Sequence, residues 1–108
     1  MPNSLDASNC SRFLKALGDP LRLKIVEFLQ SGPKTVTDIA ECLEIEIANA
    51  SHHLHVLAHA DLVTTERDGK FCYYSLAPEV HVRGSSRGPS SLDFGCCRLE
   101  LGRKKSNQ

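Results

Sequence analysis

The chain has 108 residues, with 13 Lys and Arg balanced by 13 Asp and Glu, a length that fits one domain able to bury a core but marginal alone. It offers no apolar run of about 18 residues for a membrane span and no charged-then-apolar leader for export, so the expectation is a cytoplasmic protein with no membrane partner and with reduced thiols. Its five cysteines, Cys10, Cys42, Cys72, Cys96 and Cys97, form no C-x-x-C pair, which leaves an ordinary zinc-ribbon or thioredoxin-type site without support.

Phe13, Leu14 and Leu17 stand at helical spacing, so a first short helix is expected from Ser8 to Leu17. Asp19-Pro20 restarts the chain: Asp caps exposed amides, Pro fits the first helical position, and Leu21, Ile25, Phe28 and Leu29 form the buried stripe. Ser31-Gly32-Pro33 ends that helix. Val36 reads as a short extended residue, and Thr37 as the cap of a third helix burying Ile39, Ala40 and Leu43. Glu44 to Ala48 is the turn into a helix around Ser51 that ends near Ala60. Leu62 to Thr65 and Phe71 to Leu76 are β-branched and aromatic, and Asp68-Gly69 between them signals a type I′ hairpin.

Beyond Pro78 the composition changes. Arg83 to Ser91 is almost free of apolar residues and reads as a linker. Leu92 to Leu101 alternates like a strand, with a bulge expected at Gly95, and Gly102 to Gln108 is a polar, basic end. The organisation is then a winged helix-turn-helix domain over residues 8–78, a flexible linker over 79–91 and a strand-like tail over 92–108. In class this is α+β, mainly α, with a two-stranded wing.

A helix with a polar leading face followed by an exposed hairpin suits the major groove of DNA and the backbone beside it. Ala48, Asn49, Ser51, His52 and His55 are the base-edge candidates: Asn reads adenine, Ser bonds base or phosphate, and Ala meets a thymine methyl. Arg67 and Lys70 flank the wing turn and suit phosphates. Charge runs against this reading. Residues 36–80 carry Asp38, Glu41, Glu44, Glu46, Asp61, Glu66, Asp68 and Glu79 against only Arg67 and Lys70. Positive charge must come from the N-terminal third, the tail, a second subunit or protonated histidines. His52, His55 and His59, three and four residues apart, could instead hold a metal. Cys96-Cys97 could bind a thiophilic centre, with Arg98 favouring thiolates.

The chain resembles the arsenic-repressor-type (ArsR/SmtB) winged-helix regulators. The likeness is carried by Leu17-Gly18-Asp19-Pro20-Leu21-Arg22-Leu23-Lys24-Ile25, Thr37-Asp38-Ile39-Ala40, Ser51-His52-His53-Leu54-His55-Val56-Leu57, Ala60-Asp61-Leu62-Val63, Gly69-Lys70 and Tyr73-Tyr74-Ser75-Leu76. It implies a homodimeric repressor that releases double-stranded operator DNA when a metal, metalloid or oxidant reaches its thiols or histidines. His53 matches the family's histidine in Ser-x-His-Leu, which orients the reading helix or touches a phosphate. Because the first helix and the chain end meet in the family, Cys10 becomes a third sulfur beside Cys96 and Cys97.

Three departures stand out. Thr35-Val36-Thr37-Asp38 replaces the family's Cys-x-Cys metal segment. Ile45-Glu46-Ile47 occupies the place of the usual Ser or Thr cap of the reading helix. The strand-like tail replaces the long last helix. No cofactor is required on this reading, with arsenite or a thiophilic metal ion as the ligand the cysteines would take. Dimerisation is expected through Leu5, Phe13, Leu14, Leu17 and the tail. The rival readings are a winged-helix interaction module without DNA binding and a Cys–His enzyme; the latter lacks a Gly-rich phosphate loop and a nucleophile elbow.

Overall fold

The structure is a computed structural model and describes residues 7–78, 80–83, 90–94 and 97–101. Helix α1 (Ala7–Leu17) turns through Gly18 into α2 (Pro20–Leu29). Asp19 caps α2 as the Asp-Pro pair anticipates, its Oδ1 accepting from the amides of Leu21 at 2.8 Å and Arg22 at 3.3 Å. The α2 stripe is buried at Ile25, Val26 and Leu29.

The next element corrects the expectation. Lys34–Thr35 is a strand, β1, and Val36 already belongs to α3 (Val36–Leu43). Thr35, not Thr37, is the cap. Its hydroxyl accepts from the Asp38 amide while Asp38 accepts from the Thr35 amide, a reciprocal capping box. Thr37 has Ala40 three residues on and could not close such a pair.

Glu44 ends α3 in the left-handed region at φ 58°, and a short turn leads to α4 (Ile47–His59). Glu46 stands at the N-cap of α4 without a side-chain capping bond, as its departure from Ser or Thr suggests. At the far end Asp61 takes φ 65°. The amide of Leu62 reaches the Leu57 carbonyl at 3.0 Å and that of Asp61 the Ala58 carbonyl at 3.0 Å, a Schellman stop in which Asp fills the place glycine usually takes.

The wing is β2 (Val63–Asp68) against β3 (Phe71–Leu76), antiparallel, and Thr65 to Asp68 pair with Tyr74 to Phe71. The loop is Gly69-Lys70, one residue later than the Asp68-Gly69 expected. Only Gly69 has positive φ, 67°, which matches type II′ and not type I′. The wing also has a third strand: β1 pairs with β3, Lys34 opposite Tyr74 and Thr35 opposite Tyr73.

After Ala77 the segment expected as a linker is ordered at both described ends. Val80 is buried, and β4 (His81–Arg83) pairs with β5 (Ser90–Asp93); residues 84–89 lie outside the described residues. The described tail is two paired strands: β5 pairs antiparallel with β6 (Arg98–Leu101), and the Phe94 amide bonds the Cys97 carbonyl at 2.9 Å; Gly95, where a bulge was expected, lies outside the described residues.

One core joins all of this. Ile25, Ile39, Leu54, Leu57 and Leu62 are sealed, and Leu92 and Phe94 of the tail belong to the same cluster. The Phe94 ring lies 5.6 Å from that of Phe13 on α1. Phe13 and Leu17, expected to face a second subunit, therefore pack within their own chain, and Leu14 alone of the three stays largely exposed. Leu5 lies outside the described residues.

Candidate nucleic-acid interface

At about 100° per residue along a helix, Ala50, His53, Leu54 and Leu57 form the inner face of α4, and all four are buried. Ala48, Ser51, His52, His55 and His59 fall on the opposite face, with Asn49 at its flank. Ala48, Asn49, His52 and His55 are exposed and Ser51 is half-buried. The structure thus collects all five base-edge candidates on the outer side of one helix.

His53 stands apart from them. It is 7% exposed, and its polar contact is with the protein's own Arg22. Its Nδ1 lies 3.1 Å from an Arg22 guanidinium nitrogen. A guanidinium only donates, so Nδ1 accepts and the ring proton is assigned to Nε2. Arg22 Nε also donates to the Ala16 carbonyl at the end of α1. One side chain on α2 therefore ties α1 and α4 together. Burial pushes the His53 imidazole below its usual value; Asp19 opposes that shift, while Arg22 and His52 add to it. Burial also works to raise the Asp19 carboxyl, but the amides of Arg22 and Leu21, with His53 and Arg22 adding, hold it below the usual carboxylate value.

Arg22 was not singled out from the sequence. Its only local signal is its place in the first turn after Asp19-Pro20, and its partners are six and 31 positions away.

The wing presents Arg67 and Lys70, both exposed, at its end, beside the half-exposed Phe71. The cysteines divide. Cys10 is buried and disulfide-bonded, so it is not a free thiolate ligand here. Cys97 is half-buried and packed against the core, Cys72 is half-buried, and Cys42 is exposed because it falls on the outer face of α3. Cys96 lies outside the described residues. Among the described residues no group of three or more His, Cys, Asp or Glu is placed to hold a metal ion. The row His52, His55, His59 lines a groove instead of converging on a point. No described helix is long and apolar enough to cross a membrane.

A family model described as a helix-turn-helix domain matches residues 17–66, from the end of α1 into the wing. The chain is 45% identical over 66 residues to the transcriptional repressor SdpR of Bacillus subtilis (strain 168), a match covering 61% of this chain and 73% of that protein. It is 41% identical over 66 residues to the arsenical resistance operon repressor of the same organism, covering 60% of this chain and 63% of that protein, less than two thirds of its length. Among solved structures, a homodimeric winged helix-turn-helix DNA-binding domain from Mycobacterium bovis, described as a possible ArsR-family transcriptional regulator, superimposes with a TM-score of 0.64. The identity is 33%, and the match covers 67% of each chain.

Proposed function

The chain belongs to the ArsR/SmtB family of winged helix-turn-helix transcriptional regulators, and from that premise we propose that it is a homodimeric repressor that occludes a promoter. It is a DNA-binding regulator and not an enzyme. Each subunit lays α4 in the major groove, the two reading helices about one helical turn of DNA apart. In this reading Asn49 pairs with an adenine edge, Ala48 meets a thymine methyl, and Ser51, His52 and His55 complete the base contacts. Arg67 and Lys70 hold the backbone beside them. His53 and Arg22 fix the helix that carries these groups. The observation that supports this most is the division of α4 into a sealed inner face and a polar outer face beside an exposed basic wing tip.

Residues 8–78 supply the DNA-binding unit, and the tail completes its core through Leu92 and Phe94. The subunits pair on the α1 side, where Leu14 remains uncovered. The protein works in the cytoplasm, with operator DNA as its partner. Operator affinity responds to the redox state of the cysteines, Cys10 with Cys96 and Cys97, because reducing the Cys10 disulfide would free thiols that a thiophilic centre could capture.

A second reading, an interaction module without DNA binding, is favoured by the acidic excess in residues 36–80. Titrating reduced and oxidised protein against the intergenic duplex upstream of its own gene separates the cases. Operator binding that differs between the two states supports the thiol-responsive repressor. Equal binding removes the thiol part, and no binding at low salt favours the interaction module.

A further inference from the structure

Beside the reading face, α1 and α4 enclose an open groove of about 720 Å³. Arg12 and Lys15 line it from α1, and His52, His55 and His59 from α4, over an apolar floor at Val56. Helix α4 carries no Lys or Arg, and the reading half of the chain is acidic. The cations this face lacks are thus supplied by another helix.

We propose that the α1–α4 groove is a second anchor for the phosphodiester backbone of the bound duplex, gripped by Arg12, Lys15 and His59. The proposal rests on the DNA-binding reading and extends it to residues outside the base-reading set. Three features carry it. The groove is continuous with the reading face, because His52 and His55 belong to both. From His52 to His59 the row runs about 10 Å along the helix at 1.5 Å per residue, the length of about three nucleotide steps at 3.4 Å of rise per strand. Its donors are cations and imidazoles in a row, which suits a line of phosphates and, among the described residues, no metal ion.

The charged groups facing the row are Arg12 and Lys15 from α1 and Asp61 from the turn after α4, with neutral, buried His53 behind His52. Arg12 is held by Asp61 at 3.3 Å, with both side chains well exposed. An exposed pair of this kind is weak, so a phosphate can take Arg12 over. Asp61 then acts as a brake, a carboxylate at the mouth of an anion track.

The test uses the full chain and a labelled random-sequence duplex, with the salt dependence of affinity as the readout. Arg12→Gln and Lys15→Gln should each lower the salt slope by about 1 and weaken binding about eightfold at roughly 0.1 M salt, from a slope of 0.9 per phosphate. The loss should be equal on the upstream intergenic duplex. Asp61→Asn, which Asn tolerates in the left-handed region, should tighten binding. His59→Gln, at the far end of the groove, should weaken binding to both duplexes alike. Folded variants, verified by thermal melting, whose slopes and affinities stay within twofold of the parent overturn the anchor. A loss confined to the upstream sequence also overturns it, since those residues would then be reading bases. If the unsubstituted protein binds neither duplex at low salt, the DNA-binding reading fails and the anchor with it.

Discussion

Replacing Arg22 with Ala removes two hydrogen bonds at once, to the Ala16 carbonyl and to His53 Nδ1. It also leaves Nδ1 of a side chain only 7% exposed without that donor. Hydrogen bonds from a charged donor contribute about 1.5–3 kcal/mol when buried, and an orphaned buried acceptor costs about 1–3 kcal/mol. Arg22 is half-exposed, so the low end applies and the expected loss is about 2–3 kcal/mol. In a chain of this length that lowers the melting temperature by roughly 10–20 °C.

The pH profile adds a signature that lost packing would not produce. Burial holds folded His53 below the usual imidazole value of about 6.5, so between its folded value and about pH 6.5 the unfolded chain binds more protons. Stability is then full above about pH 6.5 and declines as pH falls through that window. Without Arg22 the depression shrinks, and the decline should flatten. Thermal melts followed by circular dichroism at several pH values measure both effects. Arg22→Lys should recover less than half, since one ammonium cannot reproduce the fork. A variant within about 0.5 kcal/mol of the parent and with an unchanged pH profile would refute the clamp.

Leu92→Ala should cost about 2–5 kcal/mol in a single cooperative melt, because Leu92 is sealed in the shared core; a tail that merely flanked the domain would leave the main transition in place. Thr35→Ala opens the capping box of α3 and should cost about 1 kcal/mol in chemical denaturation, whereas Thr37→Ala should cost much less. Asn49→Ala should weaken binding to the upstream duplex by about 1–3 kcal/mol and leave random DNA unaffected. Lys70→Gln should weaken both alike and lower the salt slope by about 1.

What the sequence revealed follows the range of the interactions. Asp19-Pro20 caps α2 through amides two and three residues away, so two adjacent letters sufficed. The α4 faces were legible because helical periodicity fixes them. The α3 cap was misplaced because Thr35 and Thr37 are both plausible, and only the Asp38 reciprocity decides between them. Strand β1 is two residues long and exists through Tyr73 and Tyr74 far down the chain. The Arg22–His53 clamp and the Phe13–Phe94 contact join distant positions, which no local pattern encodes. The tail looked separable for the same reason: its Gly/Ser/Pro approach is visible, while the α1 surface it docks on is not.

The central claim is that α4 and the wing hold duplex DNA, and the salt dependence of affinity for the upstream intergenic duplex tests it most directly. A dimer using Arg67 and Lys70 of both subunits engages four phosphates, which predicts a slope of log affinity against log salt of about −3.6 or steeper. Affinity for that duplex should also exceed that for random DNA. A slope near zero, or equal affinity for both sequences, would contradict the account.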